Sequence, residues 1–467
     1  MVEPSPPAPP HETAGAPPHP VFDRRRAWLI AALIVTFMLI NYADKAVLGL
    51  AAVPIMDELG ISNSTYGLIS SSFALLFSLS GLIVGFVSAR VSSRVLLFVM
   101  AALWAVAQLP VLFVASVPAL IAGRMLLGAA EGPAASMSMH ALYKWFPEDR
   151  RGLPSSLQIS GAALGMLIAA PVLTWLITGF GWRSAFAALA AASLAWSLVW
   201  WRTGHDGPYG EQHTRGARPP AAAHAYPAGQ RLPYRRLLLN GTVLGSIASA
   251  FGASWAMALS HAWLPVYLRT QLDMTPGAAA TLISAVSAFS LVLLLSVPLV
   301  LDLLHRRGLS RRWSSGAPQG IAVTVAALAM AAFPFVGGGA RLALLALAFG
   351  GHAIAFPLHY MTASAVVPPS QRGAVFGIVA ATGTLPGVIA PYLTGRLLDS
   401  ASSQSAGYTQ SFVLSAAVMG ACGLVALVTI RPEHDARRLA PAVAAAPCDE
   451  AAGQRGGPTD APSPPTV

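Results

Sequence analysis

Apolar runs long enough to cross a membrane recur along most of this chain of 467 residues. A helix that spans the hydrocarbon core of a bilayer needs about 20 predominantly apolar residues. Twelve runs approach or exceed this length, at 27–52, 64–88, 95–115, 118–141, 153–178, 183–201, 237–264, 276–301, 316–336, 342–366, 373–397 and 408–430. The sequence therefore predicts an all-α integral membrane protein with twelve transmembrane helices.

The composition supports a lipid environment rather than water. Hydrophobic residues make up 55% of the chain and charged residues 10%, whereas soluble proteins carry roughly 25% charged residues. The net charge of +10 could indicate nucleic acid, but the basic residues flank the apolar runs, so we expect a bilayer and no nucleic acid as the partner. Residues 1–20 are proline-rich without an apolar stretch, and we expect no cleavable signal peptide.

The positions of the basic residues predict the orientation of the chain. With the N-terminus inside, most of the 29 lysines and arginines fall on the cytoplasmic side. The arginines that fall outside are Arg183, Arg269, Arg341 and Arg396. Because cytoplasmic loops carry the excess of Lys and Arg, both termini are predicted to be cytoplasmic, in a multi-pass protein of the plasma membrane, most simply a bacterial inner membrane.

The longest internal polar segment divides the spans six and six. It covers residues 202–236, is rich in Pro and Ala, and is predicted to be a flexible cytoplasmic linker. Two six-helix halves are typical of pseudo-symmetric transporters. The predicted order is a disordered cytoplasmic arm (1–26), an N-terminal half (27–201), the linker (202–236), a C-terminal half (237–430) and a disordered cytoplasmic tail (431–467).

Four charged residues interrupt the apolar runs of the N-terminal half. Asp44 and Lys45 follow a stretch without charge, and Arg124 and Glu131 lie in the fourth run. Residues seven apart, such as Arg124 and Glu131, return to nearly the same helix face about 10 Å apart. A charge within a span costs at least about 2.5–3.5 kcal/mol and marks a functional site by default.

Two interpretations of these charges remain open at this point. Structural ion pairs would join Asp44 to Arg124 and Lys45 to Glu131. In the functional interpretation, Lys45 and Arg124 neutralise a substrate carboxylate while Asp44 and Glu131 carry protons. Glu131 lies deeper, and loss of water favours its neutral acid form, whereas a cation near Asp44 favours the ionised form. We expect Glu131 to be the main proton carrier and Asp44 a second titrating or pairing group.

The C-terminal spans contain no buried acid or base other than histidine. Trp255 and His352 are the candidates from this half for a substrate cavity, against the alternative that each is structural. The spans contain no cluster of His and carboxylate ligands, so no metal is predicted. No nucleophile–base motif or nucleotide loop is present either, and we expect neither a cofactor nor an enzyme.

Several motifs resemble one family. They are Asn41-Tyr42-x-Asp44-Lys45, Gly123-Arg124 through Glu131-Gly132-Pro133, the loop at 143–152, Gly181-Trp182-Arg183 and Trp263-Leu264-Pro265. Their order resembles the anion:cation symporters of the major facilitator superfamily. The resemblance implies two pseudo-symmetric six-helix halves and proton-coupled import of sugar acids or aromatic acids. It also implies proton-linked roles for Asp44 and Glu131, and substrate binding by Lys45 and Arg124 together with Asn41 and Tyr42.

The chain departs from the family pattern at two places. Lys45 stands where the family usually has Arg, which affects the geometry of substrate binding. In the loop between the second and third helices, Ala89 replaces the usual Asp. The gating residues are therefore predicted to be those of two loops, Arg90 and Arg94 in the first and Asp302 and Arg306 in the second.

The sequence thus predicts a secondary active transporter that works as a monomer. It would import an organic carboxylate together with protons by alternating access. An exporter or exchanger using the same site, or a transporter-derived sensor without flux, would contain the same residues, and fold alone does not choose between them.

Overall fold

A computed structural model of the protein describes residues 22–87, 91–114, 116–147, 150–209, 232–368 and 371–444. All regular structure in these ranges is helical. The N-terminal half contains α1 (Arg24–Leu50), α2 (Ala52–Leu59), α3 (Asn63–Val87), α4 (Ser93–Phe113), α5 (Val117–Glu131), α6 (Ala134–Tyr143), α7 (Gly152–Phe180) and α8 (Trp182–Thr203).

The rest of the described chain forms ten more α-helices. They are α9 (Tyr234–Leu238), α10 (Gly241–Ala262), α11 (Leu264–Thr270), α12 (Pro276–Arg306), α13 (Ala317–Ala332), α14 (Gly338–Gly350), α15 (Ala355–Ser364), α16 (Arg372–Ser400), α17 (Gln404–Thr429) and α18 (Pro432–Ala444). A π-helical turn at Arg312–Gly316 and 3-10 turns at Phe333–Phe335 and Gly351–Ile354 extend α13 and join α14 to α15.

The predicted architecture of twelve spans is confirmed. Ten helical segments of the described chain are long and apolar enough to cross a membrane. Helix α3 and the α5–α6 pair occupy the two remaining predicted spans. The span predicted as one helix over 118–141 is broken at Gly132 and Pro133, because proline has no N–H for the helical bond and its ring clashes with the preceding turn.

Short polar side chains cap the N-termini of several helices and so determine where these helices begin. Asp23, Ser92, Ser116, Thr275 and Ser403 each accept a hydrogen bond from the backbone N–H three residues later. Such a cap satisfies a helix N–H that has no partner within the helix, and its loss costs roughly 1 kcal/mol. Because Asp23 is such a cap, α1 begins at Arg24, three residues before the predicted start of the span.

The two halves repeat one loop geometry. Arg151 donates from Nε to the carbonyl five residues earlier, at 3.0 Å, and from Nη2 to the carbonyl eight residues earlier, at 3.1 Å. Arg372 makes the same two bonds with the same spacings, at 3.3 and 3.0 Å. The loops after α6 and after α15 are therefore equivalent, as expected for two pseudo-symmetric halves.

Close backbone contacts join the halves at the end of the bundle where α1 ends, which we call the Glu58 end. A Cβ atom at Gly49 would lie 1.9 Å from the carbonyl oxygen of His261, and one at Gly67 would lie 2.5 Å from that of Pro391. Real Cβ atoms do not approach other atoms so closely, so only glycine permits these contacts. The absence of a side chain at these two positions lets the halves meet.

Hydrogen bonds reinforce this contact. The carboxylate of Asp399, in the C-terminal half, accepts from the backbone N–H groups of Asn63 (3.1 Å) and Ser64 (2.8 Å) at the start of α3. The hydroxyl of Tyr66 donates to the carbonyl of Ala262 at 2.9 Å. An acid of one half thus caps a helix of the other, and an anion at a helix N-terminus is favourable.

The apolar cores differ between the two ends of the bundle. At the Glu58 end, one cluster of buried residues includes Ile55 of the N-terminal half and Trp263 of the C-terminal half. At the opposite end, where α1 begins and which we call the Arg24 end, each half has its own cluster. One contains Trp200 and the other contains Val367. The described residues are therefore packed across the halves at the Glu58 end and form separate cores at the Arg24 end.

Both edges of the predicted linker are bound to the bundle. Lys144 forms an ion pair with Asp206, with 3.3 Å between Nζ and Oδ2. Near the other edge, the backbone N–H of Leu232 donates to Oε1 of Gln371 at 2.8 Å, and Nε2 of Gln371 donates back to the Leu232 carbonyl at 2.7 Å. Residues 210–231 of the linker, like 1–21 of the predicted arm, lie outside the described residues.

The predicted disordered tail is wrong for its first part. Residues 432–444 form α18. Oδ2 of Asp435 accepts hydrogen bonds from the backbone N–H (2.8 Å) and hydroxyl (2.6 Å) of Thr242, and Leu439 packs into the apolar cluster of the C-terminal half. The buried acid and the apolar contact hold the helix on the bundle, although its composition is simple. Residues 445–467 lie outside the described residues.

Candidate functional site

A cavity of about 110 Å³ lies between the two halves. A water molecule needs at least about 10–15 Å³ by a comparable measure, so the cavity has room for a small organic molecule rather than a single ion. Its N-terminal wall comes from α1, α3 and α5, and its C-terminal wall comes from α10 and α16. The lining residues are Lys45, Leu48, Gly49, Ser70, Phe73, Ala74, Phe77, Arg124, Ser254, Met257, Ala258, His261, Ala262, Thr384, Gly387 and Pro391.

Lys45 is the cation at the centre of the N-terminal wall. Its Nζ lies 2.8 Å from Oε2 of Glu131 and donates to Oδ1 of Asn41, one helical turn earlier. The ring of Tyr42 lies 4.4 Å from Nζ, with a further ring, Phe77, at 5.5 Å. The side chain is 15% exposed. Lys45 therefore faces the cavity while it binds a buried carboxylate behind it.

Arg124 is the second cation on this wall. Its Nη1 donates to the backbone carbonyl of Asp44 at 3.1 Å, and its guanidinium carbon lies 4.9 Å from the centre of the Phe73 ring. No carboxylate of the described residues forms an ion pair with it. Burying an unpaired charge is unfavourable, and Arg124 places on the cavity wall a positive charge that no ion pair with a carboxylate of the described residues balances.

The ion pair that the structural interpretation would place between the side chains of Asp44 and Arg124 does not form. The carboxyl of Asp44 is fully buried and accepts a hydrogen bond from Nε2 of Gln108 at 2.8 Å. It is Asp44's backbone carbonyl, not its carboxylate, that meets Arg124. The helix rotation that brings the carbonyl to α5 turns the Asp44 side chain toward α4. Sequence reasoning missed Gln108, although an amide within an apolar run is itself a signal of a buried polar partner.

The other ion pair of the structural interpretation, that of Lys45 and Glu131, does form. Glu131 is 1% exposed, and its Oε1 has no hydrogen-bond partner within the described residues. It is the last residue of α5, directly before the break at Gly132 and Pro133. A Cβ atom at Gly132 would lie 2.0 Å from the carbonyl oxygen of Phe77, so the break is pressed against α3. The Glu131 carboxyl is therefore buried behind Lys45, at a position set by the packing of α5 against α3.

Comparison with known proteins identifies the family of this bundle. A model of the Major Facilitator Superfamily matches residues 33–391, more than half of the chain. The chain belongs to the Major Facilitator Superfamily. It is accordingly a multi-pass membrane transporter, and the resemblance inferred from its motifs is confirmed.

Relatives of this superfamily match most of the chain. It is 28% identical over 433 residues to a D-galactonate transporter of Escherichia coli O6:H1, covering 86% of this chain and 96% of the relative. It is 24% identical over 397 residues to a hexuronate transporter of Bacillus subtilis, covering 84% and 92%.

Solved structures share the fold at lower identity. One is a bacterial homologue of the human lysosomal transporter Spinster, in an inward-facing and unoccupied conformation, with a TM-score of 0.71, 16% identity and coverage of 88% of this chain and 98% of that one. Another is a D-xylose–proton symporter, with a TM-score of 0.71, 16% identity and coverage of 87% and 99%. At this identity the likeness establishes the superfamily fold alone.

The residues proposed for the C-terminal wall lie elsewhere. Nε1 of Trp255 donates to the hydroxyl of Ser415 at 3.0 Å, and Trp255 belongs to the apolar cluster that both halves share at the Glu58 end. His352 is buried in the 3-10 turn after α14, with its ring 5.9 Å from that of Phe356. Neither is among the residues that line the cavity. The histidine that does line it is His261.

Among the described residues, no ion pair joins the predicted gating residues of one loop to those of the other. Arg306 pairs with Asp302 at 2.9 Å, but the two lie one turn apart on α12 and are largely exposed, so the pair is local. Arg94 donates to the carbonyl of Trp201 and lies over that ring. This contact joins α4 to α8 within the N-terminal half. Arg90 lies outside the described residues.

Proposed function

We propose that this protein is a secondary active transporter that imports an organic carboxylate, a sugar acid or an aromatic acid, together with protons. It acts as a monomer by alternating access. The single observation that carries this proposal is the position of Lys45, which faces the cavity and binds the buried carboxylate of Glu131. One cation thereby connects the place for a substrate with the group that can hold a proton.

The cavity has the charge of an anion site. Two cations, Lys45 and Arg124, face it from the N-terminal half, and the two acids near them, Asp44 and Glu131, are buried behind the wall. Arginine presents a planar fork of donors that matches a carboxylate, while lysine is a compact point charge. The names of the relatives, a D-galactonate and a hexuronate transporter, support a sugar acid as the substrate.

Competition for Lys45 would couple substrate to protons. A substrate carboxylate and the Glu131 carboxylate both need the Lys45 ammonium as a partner. When Glu131 is protonated it no longer needs that charge, and Lys45 becomes free for the substrate. Proton binding and substrate binding then favour each other, and this coupling is reciprocal by thermodynamic linkage. Asp44, bound to Gln108, is the second titrating or pairing group.

The packing between the two halves differs at the two ends of the bundle, as alternating access requires. The halves are packed together at the Glu58 end and have separate cores at the Arg24 end. With both termini in the cytoplasm of a bacterium, as the distribution of Lys and Arg predicts, this state faces inward. Protease added to one side of membrane vesicles tests the orientation, since the linker is expected to be cut only from the cytoplasmic side.

The coupling is tested with Glu131→Gln, which mimics the protonated acid. The variant is expected to bind substrate and exchange it across liposome membranes, and to lose accumulation driven by a proton gradient. Exchange of labelled D-galactonate and pH-driven uptake are measured separately. Glu58→Gln is the matched control, because Glu58 forms an exposed pair with Arg183 at 2.6 Å, far from the cavity.

The possible outcomes separate the alternatives. Normal gradient-driven accumulation by Glu131→Gln would remove Glu131 from coupling. Exchange by the unmodified protein without any proton flux would indicate an exchanger, and binding without flux would indicate a sensor. Loss of both exchange and uptake in Glu58→Gln would show that the assay reports on stability rather than on coupling.

A further inference from the structure

The C-terminal wall of the cavity carries one ionisable side chain among its lining residues, His261. The other groups of this wall are small or apolar, apart from two hydroxyl residues, Ser254 and Thr384. His261 is partly exposed and lies near the end of α10. The two walls thus differ in chemistry, with cations on one side and an imidazole on the other.

The hydrogen bond of His261 fixes its tautomer. Nδ1 lies 2.8 Å from the backbone carbonyl oxygen of Met257. A carbonyl oxygen only accepts hydrogen bonds, so Nδ1 carries the proton, and in the neutral ring Nε2 is then an acceptor. A second proton would add positive charge to a cavity that already holds Lys45 and Arg124, and like charges in a cavity of low dielectric repel. The ring therefore offers an acceptor.

Nε2 has no partner within the protein, as far as the described residues go. An acceptor on a cavity wall without a partner needs either water or a donor on the ligand. Neither a carboxylate nor a ring carbon can supply that donor. A hydroxyl group can.

We propose that Nε2 of His261 accepts a hydrogen bond from a hydroxyl group of the substrate, which makes His261 a specificity-determining residue. This inference rests on the proposed function, since it takes Lys45 and Arg124 as the site of the substrate carboxylate. It narrows the substrate class to hydroxylated carboxylates. Acids that carry only hydrocarbon beyond the carboxylate would leave Nε2 without a donor, and sites with a polar group left unpaired reject such analogues.

The test compares two six-carbon acids on the purified full-length protein by isothermal titration. Sodium D-galactonate carries hydroxyl groups and sodium hexanoate carries none. His261→Phe removes the acceptor, and His261→Gln keeps one in its side-chain oxygen. We expect His261→Phe to weaken D-galactonate binding about three- to tenfold, the effect of one neutral hydrogen bond. Hexanoate binding should be weak and unchanged, and His261→Gln should lose less than His261→Phe.

The chain provides a matched control. His359 makes the same bond from Nδ1 to the carbonyl four residues earlier, that of Ala355, at 3.0 Å, but it does not line the cavity. His359→Phe should leave the affinity for both acids unchanged. If His261→Phe does not yield folded protein, His261→Leu also removes the acceptor and takes its place.

The outcomes distinguish this inference from the proposed function. Equal affinity of the unmodified protein for D-galactonate and hexanoate would overturn the inference alone. Unchanged D-galactonate affinity in His261→Phe, or an equal loss for both acids, would do the same. If the unmodified protein binds neither these acids nor D-glucuronate nor benzoate, both the proposed function and the inference fail.

Discussion

The two halves of the bundle repeat one architecture, yet they contribute different chemistry to the shared cavity. The N-terminal half supplies Lys45 and Arg124 on the wall, with Asp44 and Glu131 buried behind them. The C-terminal half supplies His261 and hydroxyl groups, and none of its lining residues is an acid, a lysine or an arginine. The acids and bases at the cavity thus come from the N-terminal half, while the C-terminal half contributes an imidazole and hydroxyl groups.

Under the proposed function, this difference would assign to separate halves two tasks that a coupled transporter must perform. A proton carrier must lie close to the substrate's counterion, because competition for one cation is what links them. Recognition of the rest of the substrate needs no charge, and an uncharged wall avoids further desolvation of ionised groups.

The first prediction concerns Arg124, which places one of the two positive charges of the N-terminal half on the cavity wall. Arg124→Ala should weaken carboxylate binding roughly 10- to 150-fold, the range for loss of a hydrogen bond to a charged group. Binding of D-galactonate is measured on purified protein. Arg183→Ala, which removes an arginine of the exposed Glu58 pair, is the control and should bind normally. Retained affinity in Arg124→Ala would assign this arginine a structural role.

The second prediction concerns the packing that holds the charged half together. A Cβ atom at Gly128 would lie 1.9 Å from the carbonyl oxygen of Phe73, so α5 rests directly on the backbone of α3. Gly128→Ala should cost about 1–3 kcal/mol through overpacking and lower the unfolding temperature. Gly373→Ala is the control: the new methyl group has open space around it, so this variant should not lower the unfolding temperature. Equal unfolding temperatures would show that α3 and α5 can separate without loss.

The third prediction separates Asp44 from Arg124. Because Arg124 binds the backbone carbonyl of Asp44 and not its carboxylate, Asp44→Asn should keep that contact. Substrate affinity should stay within about threefold, less than one average hydrogen bond, while pH-driven uptake falls. Gln108→Leu, which removes the donor to the carboxylate, should likewise spare binding. A loss of affinity in Asp44→Asn as large as in Arg124→Ala would contradict the geometry.

The fourth and smallest effect concerns the exposed ion pair of the N-terminal half, that of Glu58 and Arg183. Hydrogen bonds from Arg183, and then from Trp182, lower the pKa of Glu58 below its ordinary value of 4.5. A carboxyl with a lowered pKa stabilises the fold above its ordinary pKa, and this contribution is lost as the pH falls through the lowered value. Acidification below pH 4.5 should therefore reduce the unfolding temperature slightly, and less so in Glu58→Gln. The prediction is wrong if the unfolding temperatures of the unmodified protein and of Glu58→Gln depend on pH in the same way.

Part of the candidate site followed from the sequence. The runs around Lys45 and Glu131 stood out because a charge within a span is expensive, and their pairing was one of two alternatives. Gln108 is not among the residues that the sequence points to. A hydrogen-bonded structural role is the default for a histidine in these spans, and His352 is preferred to the other histidines because it lies near mid-depth. Depth along the chain does not tell in which direction a side chain points.

The number of spans, their division into two halves and the depth of the four charges can be read from the amino-acid sequence. These properties depend on the length of apolar runs and on the rise of 1.5 Å per residue, both of which are local. The packed helices are needed to show that Asp44 meets Gln108, that Arg124 meets a backbone carbonyl and that His261 faces the cavity. Those contacts join helices that are far apart in sequence, and they depend on how each helix is rotated about its axis. That rotation is set by packing against the neighbouring helices, such as the glycine contacts of α5 with α3.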